Sequence, residues 1–327
     1  MLSVPIPIKH KTVLITGGAG FIGSTLAGQL VADNNVIVFD NLDRNAIQHS
    51  DILDHKNLTI ITGDIMDLAK VEEVFKQYQP NYVVHCAALV GVDNVLKNPV
   101  NTLDVNIVGT NNVLKAATLL KDLERIVLFS TSEVFGGESF MSNENKPAVI
   151  GAVGEARWTY ALSKLANEHY AFAYHKRYGM PTVIVRPFNI YGPGQVGEGA
   201  LSIFIQNAIK NETITVHGDG SQIRAWCYVD DMVRAVLISM THADAIGKSF
   251  NIGNARSTLT IYGLANAVVR ILGSQSKIVF QPKTHADIEL RMPDTRTARD
   301  VIGFEAIVDL EDGIPLTAEY YRRVGGF

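Results

Sequence analysis

Cysteine is nearly missing from this chain of 327 residues: only Cys86 and Cys227 are present. Two thiols so far apart make neither a disulfide framework nor a zinc-ligand spacing, so reduced, cytoplasmic thiols and no bound metal are the expectation. Long apolar runs are missing too. None approaches the ~20 residues that a membrane-spanning helix needs, and the opening MLSVPIPIKHK has no signal-peptide core. Charge of one sign is not in excess. Lys plus Arg number 29 against 33 Asp plus Glu, a formal net charge of −4, which gives no reason to expect nucleic acid or an anionic membrane as partner. Internal repeats and low-complexity segments are absent. What remains is 47% hydrophobic and 19% charged, an ordinary globular composition with enough length for a large core and an attached smaller lobe.

Short apolar runs recur through the first half: TVLIT (12–16), VIVF (36–39), LTIIT (58–62), YVVH (82–85), RIVLF (125–129) and TVIVR (182–186). They are apolar on both faces, as parallel strands covered by helices on each side must be. Amphipathic stretches such as PVNTLDVNIVGTNNVLKAATLLK (99–121) lie between them. This alternation predicts an α/β fold, a Rossmann-type doubly wound parallel sheet. After residue 187 the regularity fades into Gly- and Pro-rich pieces and one late strand-like run, SFNIG. The expected division is 1–187, with returns at about 225–253, as the Rossmann domain. Segments 188–224 and 254–327 then form a smaller C-terminal lobe.

TVLITGGAGFIGSTLAGQL sets Gly17, Gly20 and Gly23 directly after the first strand and at the start of a helix. Glycine there permits a tight turn and lets backbone N–H groups approach a pyrophosphate. The second strand ends in Asp40, whose carboxylate suits the adenosine ribose hydroxyls and repels a 2′-phosphate, favouring NAD over NADP. Phe21 and Ile22 of the same turn and Asn41 beside Asp40 join the cofactor candidates. So do Asp64 and Ile65 after the third strand, and Ala87 and Ala88 of HCAA after the fourth. Farther on, RWTYALSKLANEHY places Tyr160 and Lys164 four residues apart, on one helix face. An ammonium near a phenol favours the phenolate and is expected to draw its pKa from ~10 toward neutrality. Such a phenolate can take the proton from a substrate hydroxyl while NAD oxidises the carbon beneath it.

Together these parts resemble the extended short-chain dehydrogenase/reductases: the NAD-dependent sugar-nucleotide epimerases, dehydratases and decarboxylases. The likeness spans nearly the whole chain, through GGAGFIG, Asp40, HCAA, Asn106 in DVNIVGT, STSEVFG, Tyr160/Lys164, RPFNIYGPG (186–194) and GDGSQIRAWCYVDD (218–231). It implies a nucleotide-sugar substrate, bound by the smaller lobe, whose C4 hydroxyl is transiently oxidised by a tightly held NAD. Asn106 joins the cofactor site. Thr131 meets the sugar hydroxyl alongside Tyr160, Ser132 lies beside the sugar, and Asn189 and Arg224 hold the diphosphate. The family's dimer bundle implies a homodimer through helices at roughly 99–120 and 155–178.

Glu133, just past the strand RIVLF, bears on the second step. The resemblance implies that a plain 4-epimerase needs no carboxylate there, whereas 4,6-dehydratases carry an acid that removes the C5 proton. UDP-glucuronate decarboxylases share Thr-Ser-Glu, and their oxidised substrate is a β-keto acid that loses carbon dioxide readily. VHGDGSQIRAWCYVDDMV and ELRMPDTRTAR resemble the decarboxylase pattern, with Arg291 at the position of their reaction-centre arginine. Epimerases use an arginine in that region for the diphosphate, so Arg291 has two readings. The expectation is a UDP-glucuronate-type decarboxylase, with a 4,6-dehydratase and a 4-epimerase as alternatives. A non-catalytic NAD-binding scaffold is the remote one, since a scaffold has no need of Tyr160 with Lys164 and Thr131.

Overall fold

The computed structural model describes residues 5–197, 199–282 and 289–325, and every candidate site residue lies within them. At its centre is a seven-stranded sheet. Its order is Lys248–Ile252, Thr182–Pro187, Arg125–Phe129, Tyr82–His85, Thr12–Thr16, Asn35–Asp40, Leu58–Thr62. All neighbours pair in parallel. The six apolar runs of the first half form six of the strands, and SFNIG returns as the seventh. Both faces are covered because successive side chains point to opposite sides. Val13 and Ile15 enter one core with Val38, Val84, Val127 and Val185. Leu14 between them enters the other with Ile37, Val83, Ile126 and Ile184.

The chain leaves Leu58–Thr62 at one edge and re-enters the sheet on the far side of Thr12–Thr16. The strand order therefore reverses between Thr12–Thr16 and Tyr82–His85. That switch point, at the carboxyl ends of the strands, is where open α/β sheets bind ligands.

Two helical runs flank the site. Thr159–Tyr178 ends at Gly179, φ 66°, and His175, Lys176 and Arg177 in its last turn complement the helix dipole. It begins later than the sequence predicts, because Ala156–Trp158 forms a short 3-10 turn. The other run comprises Pro99–Leu103 and Gly109–Ala117, joined by a π-helical turn at Asp104–Val108. A smaller sheet orders Thr258–Thr260, Ile223–Ala225, Leu290–Pro293 and Glu138–Ser142. Its strands come from both sides of residue 187. In its register Arg224 lies beside Arg291, and Arg291 beside Ser139.

Candidate active site

At the switch point lies a cleft of about 630 Å³, within the usual size of a small-molecule site. Its floor is the glycine turn. Gly17 has φ +68°, and a Cβ there would come within 2.5 Å of the Ala87 nitrogen, so only glycine lets these two loops close. The helix Phe21–Leu30 starts at Gly20 with no side-chain cap. Its first amides face the cleft, a donor set suited to phosphate oxygens. The Asp40 carboxylate accepts from the amides of Ala19 (3.0 Å) and Leu42 (2.7 Å), and burial raises its pKa despite those bonds. Asp64 turns its own loop by accepting from the Met66 amide at 2.9 Å. Phe21, Ile22, Gly23, Asn41, Ile65, Ala87 and Ala88 line the same cleft with Tyr160 and Lys164. The donors, the acid and the volume fit a dinucleotide.

Asn106 does not line it. The residue is fully buried, accepts from the Leu89 amide (2.8 Å) and donates to the Leu89 carbonyl (3.2 Å) and Ser163 Oγ (3.0 Å). The π-helical turn directs the side chain inward. Asn106 thereby fixes the loop after Tyr82–His85, whose Ala87 and Ala88 line the cleft.

The strand Arg125–Phe129 leads into the candidate catalytic residues Thr131 and Glu133. Thr131 caps the following 3-10 turn, Ser132–Phe135, its Oγ1 accepting from the Glu133 amide at 3.2 Å. Its side chain also acts on the Tyr160 phenol, favouring the phenolate. Two bonds from the helix Thr159–Tyr178 hold the strand's end. Lys164 Nζ donates to the Phe129 carbonyl at 2.9 Å, and Ser130 Oγ donates to Glu168 at 2.5 Å. Glu168 in turn receives a two-pronged contact from Arg186, at 2.8 and 2.6 Å. That buried pair ties the helix to Thr182–Pro187, the strand beside Arg125–Phe129.

The electrostatics differ from the sequence expectation. Burial pushes the Tyr160 phenol up, and the Glu133 carboxylate adds to this. Thr131, Arg291 and Arg44 act the other way. Burial also brings the Lys164 ammonium down to about 8. Its Nζ lies 6.0 Å from the phenol ring centroid. In the protein's own field, desolvation penalises phenolate and ammonium alike.

Glu133 is part-buried and stands between two guanidiniums. Arg157 Nη1 is 2.6 Å from one carboxylate oxygen and Arg291 Nη1 is 3.6 Å from the other. Arg291 thus sits at the reacting end, among the charges acting on Tyr160. Arg224, its neighbour in register, is buried beside it. Ser132 is buried at the root of the turn. Asn189, φ +41°, donates to the Ala225 carbonyl at 2.8 Å, which ties it to the strand carrying Arg224. Sequence reasoning missed Arg157. It lies inside the quoted RWTYALSK, three residues before Tyr160, but no spacing rule links it to an acid on another element.

The sequence matches the NAD dependent epimerase/dehydratase family over residues 13–253. A UDP-N-acetyl-alpha-D-glucosaminuronate decarboxylase of Bacillus cytotoxicus is 33% identical, with 96% of this chain and 98% of that protein aligned. UDP-glucuronic acid decarboxylase 1 of Danio rerio is 34% identical over 96% of this chain and 73% of its own length. Among solved structures, a UDP-glucuronic acid 4-epimerase from Bacillus cereus, in complex with UDP-glucuronic acid and NAD, superposes with a TM-score of 0.86. It is 26% identical, covering 96% of this chain and 99% of that one. With a match over most of its length and these relatives spanning nearly all of it, the chain belongs to the NAD dependent epimerase/dehydratase family.

Proposed function

We propose that the protein decarboxylates a UDP-hexuronate with NAD as its cofactor. The observation that carries this reading is the grouping of Arg157, Glu133 and Arg291 beside the Thr131–Tyr160 pair. The names of the curated relatives point the same way. When bound in the cleft, NAD supplies the oxidation of the sugar C4 and its reversal. Tyr160 and Thr131 hold the C4 hydroxyl and move its proton, and Lys164 supports the phenol. The C4 ketone makes the sugar a β-keto acid. The C5–C6 bond then breaks, carbon dioxide leaves, and the electron pair passes into the C4 carbonyl as an enolate. The hydroxyls of Thr131 and Tyr160 are hydrogen-bond donors for that oxygen. Glu133 serves the proton delivered to C5, while Arg291 and Arg157 set its orientation. Arg224 and Asn189 hold the diphosphate, and Ser132 lies beside the sugar.

In this reading 1–187, with returns at about 225–253, binds NAD, and 188–224 with 254–327 binds the nucleotide sugar. The strand Glu138–Ser142 carries the first part into the small sheet. A homodimer is part of the proposal, supported by exposed Val100, Val108, Leu162 and Phe172 on the two long helical runs. A monomer by light scattering would count against it. No described helix is long and apolar enough to cross a membrane, and a cytoplasmic setting is part of the proposal.

A second reading, a 4,6-dehydratase, is favoured by one feature. Glu133 is paired with Arg157 and Arg291, and neighbouring cations favour the ionised form that a base needs. A panel of UDP-, GDP- and dTDP-sugars followed by product mass separates the reactions. Loss of carbon dioxide supports the proposal, loss of water supports the dehydratase, and an unchanged mass with a new epimer supports a 4-epimerase. Glu133→Gln is expected to retain C4 oxidation, seen as build-up of reduced nicotinamide absorbance, and to stop the second step. Normal turnover by this variant would refute the role given to Glu133.

A further inference from the structure

Arg44 lies in the loop after Asp40 and takes no part in the proposed chemistry. Its Nη2 donates to the Val90 carbonyl at 2.9 Å, in the loop after Tyr82–His85. Its guanidinium also rests on Gly197, in the loop after Ile190–Tyr191. A Cβ on Gly197 would meet Cζ at 3.2 Å and both terminal nitrogens at 3.4 Å. The loop that carries Arg44 is pinned to the glycine turn, since the amides of Ala46 and Ile47 both donate to the Ala19 carbonyl, at 2.8 and 3.0 Å. One side chain therefore ties together three loops that rise from different strands. It does so on the wall of the cleft shared by Gly20, Asp40 and Lys164.

This position is opposite in charge to a pyrophosphate and matched to it in shape. The uncapped first turn of Phe21–Leu30 opens on the same space, and a guanidinium fork is the side chain best shaped for phosphate oxygens. Arg44 acts electrostatically as far as Tyr160, so it belongs to the same field as the reacting groups. A cofactor that is reduced and then reoxidised within each turnover has no need to exchange. We infer that Arg44 is a cofactor-retaining residue, which closes the cleft over the dinucleotide pyrophosphate and sets how slowly NAD leaves. The inference rests on NAD being the cofactor.

The test is retention rather than turnover. Purified protein is loaded with NADH and chased with excess NAD, and the decay of bound-state fluorescence gives the release rate. NAD carried through purification is measured in parallel. Arg44→Met is expected to release the dinucleotide about 10- to 100-fold faster, the scale of one lost charge-assisted hydrogen bond. Arg44→Lys falls between, because it keeps the charge and loses the fork. Gly197→Ala, which displaces the guanidinium from its seat, speeds release less. Melting of the stripped proteins reports whether each variant is folded. Wild-type protein that binds dinucleotide, with an Arg44→Met variant that releases it equally slowly, overturns the inference alone. Wild-type protein that binds no dinucleotide overturns the cofactor reading and this inference with it.

Discussion

Replacing Lys164 by Met is expected to stabilise the cofactor-stripped protein at neutral pH while removing C4 oxidation. Lys164 is 1% exposed, and burial lowers its pKa from 10.5 to about 8. At about 1.4 kcal/mol per pH unit, keeping it charged in the folded state costs about 3 kcal/mol below pH 8. Met fills similar space without charge. It gives up the bond to the Phe129 carbonyl, worth about 1 kcal/mol. The net gain is about 2 kcal/mol at pH 7. The sign follows from the direction of the shift. The folded-state pKa lies below the unfolded one, so folding favours the neutral amine. The cost is fully present below about pH 8, shrinks as pH rises, and is gone above about pH 10.5. Urea unfolding of both stripped proteins across this range tests it. A Met variant less stable than the parent at pH 7 would refute the reasoning, as would a stability difference that stays flat up to pH 10.5.

Two further outcomes concern groups at the edge of the chemistry. Glu168→Ala leaves the Arg186 guanidinium buried without its partner, with an expected loss of about 3–5 kcal/mol in urea unfolding. Adding Arg186→Met is expected to recover most of that stability. Activity should stay low in the double variant, because Ser130 loses its acceptor and the adjoining Thr131 loses its fixed position; full recovery of both would make the pair purely structural. Asp40→Ser removes the carboxylate proposed to face the adenosine ribose and is expected to improve NADP binding relative to NAD by roughly tenfold or more. Titration calorimetry with both dinucleotides measures the ratio, and an unchanged ratio would show that Asp40 does not discriminate.

What the sequence made legible, and what it did not, follows from the reach of each signal. The sheet could be read because every strand reports its own environment: Val13, Leu14 and Ile15 are all apolar and all buried, on alternate faces. Gly17 and the Tyr160/Lys164 spacing are equally local. The partners of Glu133 are not. Arg157 is separated from it by 24 positions, and Arg291 arrives on a strand whose neighbours come from both halves of the chain. The register that sets Arg224 beside Arg291 belongs to no single segment. Asn106 shows the same limit, since its partners Leu89 and Ser163 lie on other elements. Burial was the other hidden quantity: spacing brings Lys164 near Tyr160 but carries no information on desolvation, which moves both groups away from their charged forms. The family rests on features within one element, whereas the proposed second step depends on a contact among three. That is why the sequence points to the proposed first oxidation more sharply than to the bond broken after it, and why Glu133, Arg157 and Arg291 are the positions on which the proposed decarboxylation is tested.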